Sequence, residues 1–262
     1  MGDVRSGTAV RDSTVAVLAA IVLCAGLVTY SGLAAAALNG AAAVTGITVV
    51  ASAGSAVMTR TGRWSGPADR VTLARTVLIG GCATIAVLVL TRALPERPWW
   101  LLALAVPALV LDGVDGKVAR RTGTASDAGA RLDMEMDAAL LLILSLVATR
   151  SLGWWVLGIG LMRYAFVAAS WVRPRLRNPL PFSGFRRFVA AVQGVTLAAA
   201  LAPVVPLWAS RTAVALALAL LVVSFARDVA YLEGTGSRAV EPASGSPSGP
   251  EGDPGTPGAP VV

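Results

Sequence analysis

The sequence predicts an all-α integral membrane protein: a six-helix transmembrane core bundle preceded by one or two extra N-terminal transmembrane helices. Three observations predict it. Of 262 residues, 55% are hydrophobic and only 14% charged, and the mean hydropathy is +0.70, a balance foreign to soluble globular domains. Residues 13 to 59 form a run of 47 positions without a charged side chain, enough for two crossings at about 20 residues each. Six further apolar segments follow, near 70–92, 98–119, 130–150, 153–172, 187–206 and 209–231, and their short connections make consecutive helices neighbours.

Taken in order, the first span is expected around Val15 to Leu38, which is longer than a signal-peptide core. Asn39-Gly40 is a good turn dipeptide and divides it from a second segment, Ala41 to Met58, rich in Gly, Ala and Thr. That segment reads either as a span or as a re-entrant, packed piece. Residues 1–66 are therefore an N-terminal membrane segment and linker, and residues 67–233 the membrane core. Residues 234–262 hold six of the 15 prolines and seven glycines, a composition that predicts a disordered cytoplasmic tail. Assigning the 22 basic residues to alternating loops puts 17 on one side and four on the other, with Arg163 left inside a span. By the positive-inside rule the rich side is cytoplasmic, with both termini inside; the expected location is the plasma membrane.

Composition also excludes. The net charge of +7 is spread thinly between apolar runs and suits cytoplasmic loops and anionic headgroups rather than a nucleic-acid surface. No histidine is present, so imidazole catalysis and His-containing metal sites are absent, and any metal must be held by oxygen ligands. Cys24 and Cys82 both fall in apolar runs and read as small packing residues.

Two central segments have uncharged stretches too short to span, 98–111 and 138–149, so their helices must extend through Asp112 and Asp115, and through Asp137 and Asp133. At a rise of about 1.5 Å per residue, Asp112 and Asp115 lie roughly 21 and 26 Å from the outer end, and Asp137 and Asp133 roughly 18 and 24 Å. On the first helix Asp112, Asp115, Gly116 and Ala119 fall in one stripe; on the second Gly129, Asp133 and Asp137 share a face, with Glu135 turned roughly the opposite way. Four carboxylates at membrane depth repel one another unless a cation lies among them, and hard oxygen ligands suit Mg²⁺, Mn²⁺ or Ca²⁺.

The run from Asp112 to Asp137, DGVDGKVARRTGTASDAGARLDMEMD, resembles the signature of the CDP-alcohol phosphotransferase (CDP-alcohol phosphatidyltransferase) family, D-x2-D-G-x2-A-R-x8-G-x3-D-x3-D. All eight fixed positions are met, at Asp112, Asp115, Gly116, Ala119, Arg120, Gly129, Asp133 and Asp137. The resemblance implies metal-dependent transfer of a substituted phosphoryl group from a CDP-alcohol, commonly CDP-diacylglycerol, to an acceptor hydroxyl, with release of CMP. It implies two divalent ions, Mg²⁺ or Mn²⁺, held by Asp112, Asp115, Asp133 and Asp137, with Asp137 also the general base. Gly116, Ala119 and Gly129 would leave room for the nucleotide, and Arg120 would pair with its phosphates. Upstream, P-A-D-R-V-T-L-A-R from Pro67 is similar to the family's P-N-x2-T-x2-R, with Asp69 where Asn is usual. Asp69 and Thr72 share a helical face and are candidates to touch the nucleotide, whereas Arg75 reads as a cytoplasmic anchor.

Arg163, the basic residue within a span, and the segment F-R-R-F-V-A-A-V-Q, holding Arg186, Arg187 and Gln193, resemble acceptor-pocket features of the family. With Arg131 they suit an anionic acceptor such as glycerol 3-phosphate or an inositol phosphate, while Arg186 and Arg187 equally fit headgroup anchors. Family resemblance also implies a homodimer. The competing class, an ion- or proton-coupled transporter built on the aspartates, leaves Gly116, Ala119, Arg120 and Gly129 without a purpose.

Overall fold

The computed structural model describes residues 3–32, 36–59, 67–121, 127–173 and 184–238. Among them there are helices and no strands: α1 (Asp3–Ser31), α2 (Ala36–Thr59), α3 (Pro67–Leu90), α4 (Trp99–Arg121), α5 (Asp127–Leu152), α6 (Leu157–Val172), α7 (Gly184–Ala200) and α8 (Leu207–Arg238), with a 3-10 turn at Trp154–Val156 leading into α6. Stretches of α1, α3 and α8 are long and apolar enough to cross a membrane, at 22, 22 and 25 residues, and α2, α4, α6 and α7 carry shorter apolar stretches. Helices suit lipid because each satisfies its own backbone. This is an integral membrane protein.

Two expectations about the ends of elements are corrected. Asn39 and Gly40 are not a turn; they lie in the first turns of α2. The break falls earlier, where Gly32 closes α1 at φ +62, a left-handed conformation that costs glycine little. Residues 33–35 lie outside the described residues. At the other end, α8 continues to Arg238, so the first five residues of the expected disordered tail are helical, and the remainder lies outside the described residues.

The bundle is organised around α3, which packs against α1, α2, α4 and α5. Of its apolar stretch 72% is buried, against 28% for α1 and 17% for α8, so α3 is the central post and the other two face outward. Lipid is as apolar as leucine, so what holds such helices together is close packing and polar contacts, not hydrophobicity. Small residues supply the closeness. A Cβ on Gly80 would lie 2.7 Å from the Gly46 carbonyl oxygen, and one on Gly46 would lie 2.6 Å from that of Gly80, so α2 and α3 cross backbone to backbone there. Cys24 and Cys82 are both buried and unoxidised, and the Thr84 hydroxyl donates to the Cys24 sulfur at 3.1 Å, joining α1 to α3. Ala16, Ala20, Val50 and Leu73 form a small apolar cluster with Leu132 against it, which ties the N-terminal helices to α3 and α5. Most buried hydroxyls on the inner helices return to their own backbone, as Thr76 does to the Thr72 carbonyl.

One end of the bundle is marked by tryptophans. Trp99 and Trp100 open α4, Trp154 and Trp155 precede α6, and Trp208 opens α8, all partly or largely exposed, with Tyr30 at the end of α1 packed edge-to-face on Trp100. Five of the seven tryptophans thus ring the same end, as indole side chains do at a membrane interface. There too Arg97 donates to the Val205 carbonyl at 2.7 Å and to the Ser210 hydroxyl at 2.9 Å, and Ser210 in turn to the Ala200 carbonyl. These bonds tie the α3–α4 connection to the α7–α8 connection. The carboxylates of α4 and α5 lie toward the opposite end.

Candidate active site

The site is made by an antiparallel pair. α4 runs away from the tryptophan ring and α5 runs back toward it, so the acids near the end of one meet those near the start of the other. The i, i+4 spacing of Asp133 and Asp137 puts both on one face of α5. Carboxylate oxygens of Asp112, Asp133 and Asp137 all lie within 4.8 Å of one another. The three side chains are about 40% exposed, at 38%, 39% and 42%, so the cluster opens on one side rather than being sealed in the bundle.

Its other side is closed by a residue that sequence reading misplaced. Arg75, expected as a cytoplasmic anchor, is fully buried, and its guanidinium lies among the carboxylates. Nη1 pairs with Asp112 Oδ1 at 3.0 Å and donates to Asp133 Oδ1, while Nη2 donates to Asp137 Oδ1. Two sequence signals could have found it. Arg75 is eight residues into α3, about 12 Å along the axis, too deep for an anchor at the surface. It also follows Asp69 and Thr72 at i, i+3 steps, which keeps the three on neighbouring faces of the helix.

Charge accounting shows what the arrangement can accept. Three carboxylates against one guanidinium leave two negative charges, the complement of one divalent cation. The donor set is all oxygen, which suits a hard ion such as Mg²⁺ or Mn²⁺. The residues therefore fit a divalent metal: Asp112, Asp133 and Asp137 could hold it.

The remaining expected residues are less concentrated. Asp115 lies one turn beyond Asp112 on α4, and Gly116, Ala119 and Arg120 follow on the same helix, but beyond that placement these four lie outside what is described. Gly129 is in the first turn of α5, on the helix that carries Asp133 and Asp137; Asp69 and Thr72 are half-buried near the start of α3. Arg131 is exposed on α5, and the side chains of Arg186 and Arg187 lie outside the described residues.

Arg163 is paired within the bundle: its guanidinium donates to Glu135, across from α6 to α5. Gln193 is buried and its Nε2 donates to the Ala217 carbonyl at 2.8 Å, which ties α7 to α8.

No curated protein and no solved structure matches the chain. A family model described as CDP-alcohol phosphatidyltransferase matches residues 65–226, more than half of the chain, and takes in α3 to most of α8 with the whole carboxylate cluster and Arg75. Members of the family use a divalent metal and transfer substituted phosphate groups, which leaves the transporter reading without support. The chain belongs to the CDP-alcohol phosphatidyltransferase family, enzymes of phospholipid biosynthesis that move a phosphatidyl group from a CDP-alcohol to an alcohol acceptor.

Proposed function

We propose that this enzyme takes the phosphatidyl group from CDP-diacylglycerol, transfers it to the hydroxyl of a small phosphate-bearing acceptor, glycerol 3-phosphate or an inositol phosphate, and releases CMP. The observation that carries the reading is the meeting of Asp112, Asp133 and Asp137 within 4.8 Å on two helices of the matched region. Asp115 completes the ligand set from the next turn of α4. Bound divalent ions, Mg²⁺ or Mn²⁺, would supply charge neutralisation of the pyrophosphate and a better leaving group.

The chain's own residues do the rest. Asp137 accepts the proton of the acceptor hydroxyl, the part a carboxylate beside the reacting groups can play. Gly116, Ala119 and Gly129 present little bulk, so the cytidine and its phosphates can approach α4 and α5 closely, with Arg120, Asp69 and Thr72 as polar contacts. Arg163, Arg131, Arg186 and Arg187 are the acceptor's candidate partners, since guanidinium pairs well with phosphate. For Arg163 that means exchanging the Glu135 carboxylate for the acceptor's phosphate. The excess of basic residues on the carboxylate side supports a site that faces the cytoplasm, in the plasma membrane, and a homodimer is the expected assembly.

The test is CMP release by the purified protein from CDP-diacylglycerol with Mg²⁺ or Mn²⁺, across glycerol 3-phosphate, inositol 1-phosphate, serine and phosphatidylglycerol. Release is expected with one phosphate-bearing acceptor, to vanish with EDTA, and to fall by roughly 100-fold or more in Asp133→Asn and Asp137→Asn. Release that survives chelation and both substitutions would sink the metal assignment; preference for serine or phosphatidylglycerol would sink the acceptor assignment.

A further inference from the structure

The carboxylate cluster already contains a cation, and that cation belongs to the chain. Arg75 reaches Asp112 on α4 and both Asp133 and Asp137 on α5 with one guanidinium, from a helix that carries none of the three acids. It is fully buried, whereas each acid retains access to solvent, so it lies on the inner side of the cluster. Like charges this close repel, and the guanidinium is what offsets that repulsion among the three. It engages Oδ1 of each aspartate, so one of the two oxygens that each carboxylate could offer a divalent ion is already taken by an N–H donor. An ion held by the same three carboxylates would also lie close to the guanidinium, and two positive charges at that range repel.

Building on the metal reading above, we propose that Arg75 is the resident counter-cation of the site: it holds the three carboxylates together before metal enters, and it competes with metal for their oxygens. Metal loading then weakens the hold of Arg75 on the three carboxylates. Because Arg75 is a polar link from α3 to α4 and α5, loading changes how α3 is tied to the site. Arg75 is thus a positioning residue for the ligands, and its influence is on metal affinity and on the stability of the metal-free protein.

The measurement uses the full-length protein, stripped of metal in detergent, titrated with Mn²⁺ alone, with free Mn²⁺ followed by electron paramagnetic resonance and thermal unfolding followed in EDTA and in Mn²⁺. Arg75→Met keeps much of the side chain's length and removes its charge. It is expected to bind Mn²⁺ roughly tenfold or more tightly than the wild type, because a competing positive charge is gone. It is also expected to melt lower in EDTA and to gain more from Mn²⁺ than the wild type does. Arg75→Lys, whose single ammonium cannot span the three acids in the same fork geometry, is expected to fall between, and it carries the test if Arg75→Met does not survive metal removal. Mn²⁺ binding that is unchanged or weaker in a folded variant overturns the proposal. If the wild type binds Mn²⁺ and Asp133→Asn does not, the metal reading stands and only the role of Arg75 falls. If neither the wild type nor the Arg75 variants bind Mn²⁺, both fall together.

Discussion

Gly80→Ala is the sharpest test of how the N-terminal helices are attached. The new methyl would lie 2.7 Å from the Gly46 carbonyl oxygen and 2.8 Å from Val50 Cγ2, both on α2. Ordinary contact begins near 3.4 Å, so α2 and α3 must part by about 0.7 Å at the crossing, and the first obstacle is backbone, which cannot rotate aside. Overpacking of this kind costs about 1–3 kcal/mol. By the scaling for proteins of this size, that is a fall in melting temperature of about 2–12 °C. The assay is thermal unfolding in detergent, with Gly40→Ala as the control: Gly40 is also in α2 but has open space where its Cβ would be, so alanine there is expected to be neutral or to stabilise by up to ~1 kcal/mol. Equal melting of the two variants would refute the backbone-to-backbone crossing and with it the close docking of α2 on the site's central helix. Because α3 also carries Arg75, Gly80→Ala is expected to weaken the Arg75 contacts and lower activity, whereas Gly40→Ala leaves activity at the wild-type level.

At the tryptophan-ringed end, Arg97→Ala removes hydrogen bonds to the Val205 carbonyl and the Ser210 hydroxyl, and is expected to destabilise by about 1.5–3 kcal/mol with little change in KM, read by unfolding and kinetics on the same preparation. Glu135→Gln removes the carboxylate that occupies Arg163; if acceptor phosphate takes that place, acceptor KM should fall roughly twofold to fivefold while the KM for the CDP-alcohol stays put. A rise in acceptor KM would show instead that Glu135 holds Arg163 in its working position.

The site was legible in the sequence to the extent that periodicity controls it. Helical spacing alone put Asp133 and Asp137 on one face and turned Glu135 away, and the length a span must have forced the acids into the membrane-embedded helices. Those are one-dimensional constraints, and they survive folding because a helix in lipid has few alternatives. The turn at Asn39-Gly40 failed for the opposite reason: dipeptide preference is weak, and α2 runs straight through it once Gly32 has ended α1. The tryptophan ring was present in the sequence as two separate pairs and a single residue, and only the fold shows that Trp99, Trp100, Trp154, Trp155 and Trp208 lie at the same end.

By itself, then, the sequence determined that this is a helical membrane protein with a complete CDP-alcohol signature and a cluster of acids needing a cation. Tertiary structure alone decided which cation the chain supplies and which helix supplies it. Arg75 is separated from Asp133 by 58 positions, and Arg163 from Glu135 by 28. No periodicity within one helix can report a pairing between helices. It depends on how closely α3 can approach α4 and α5, and that is set by packing along the whole length of the bundle.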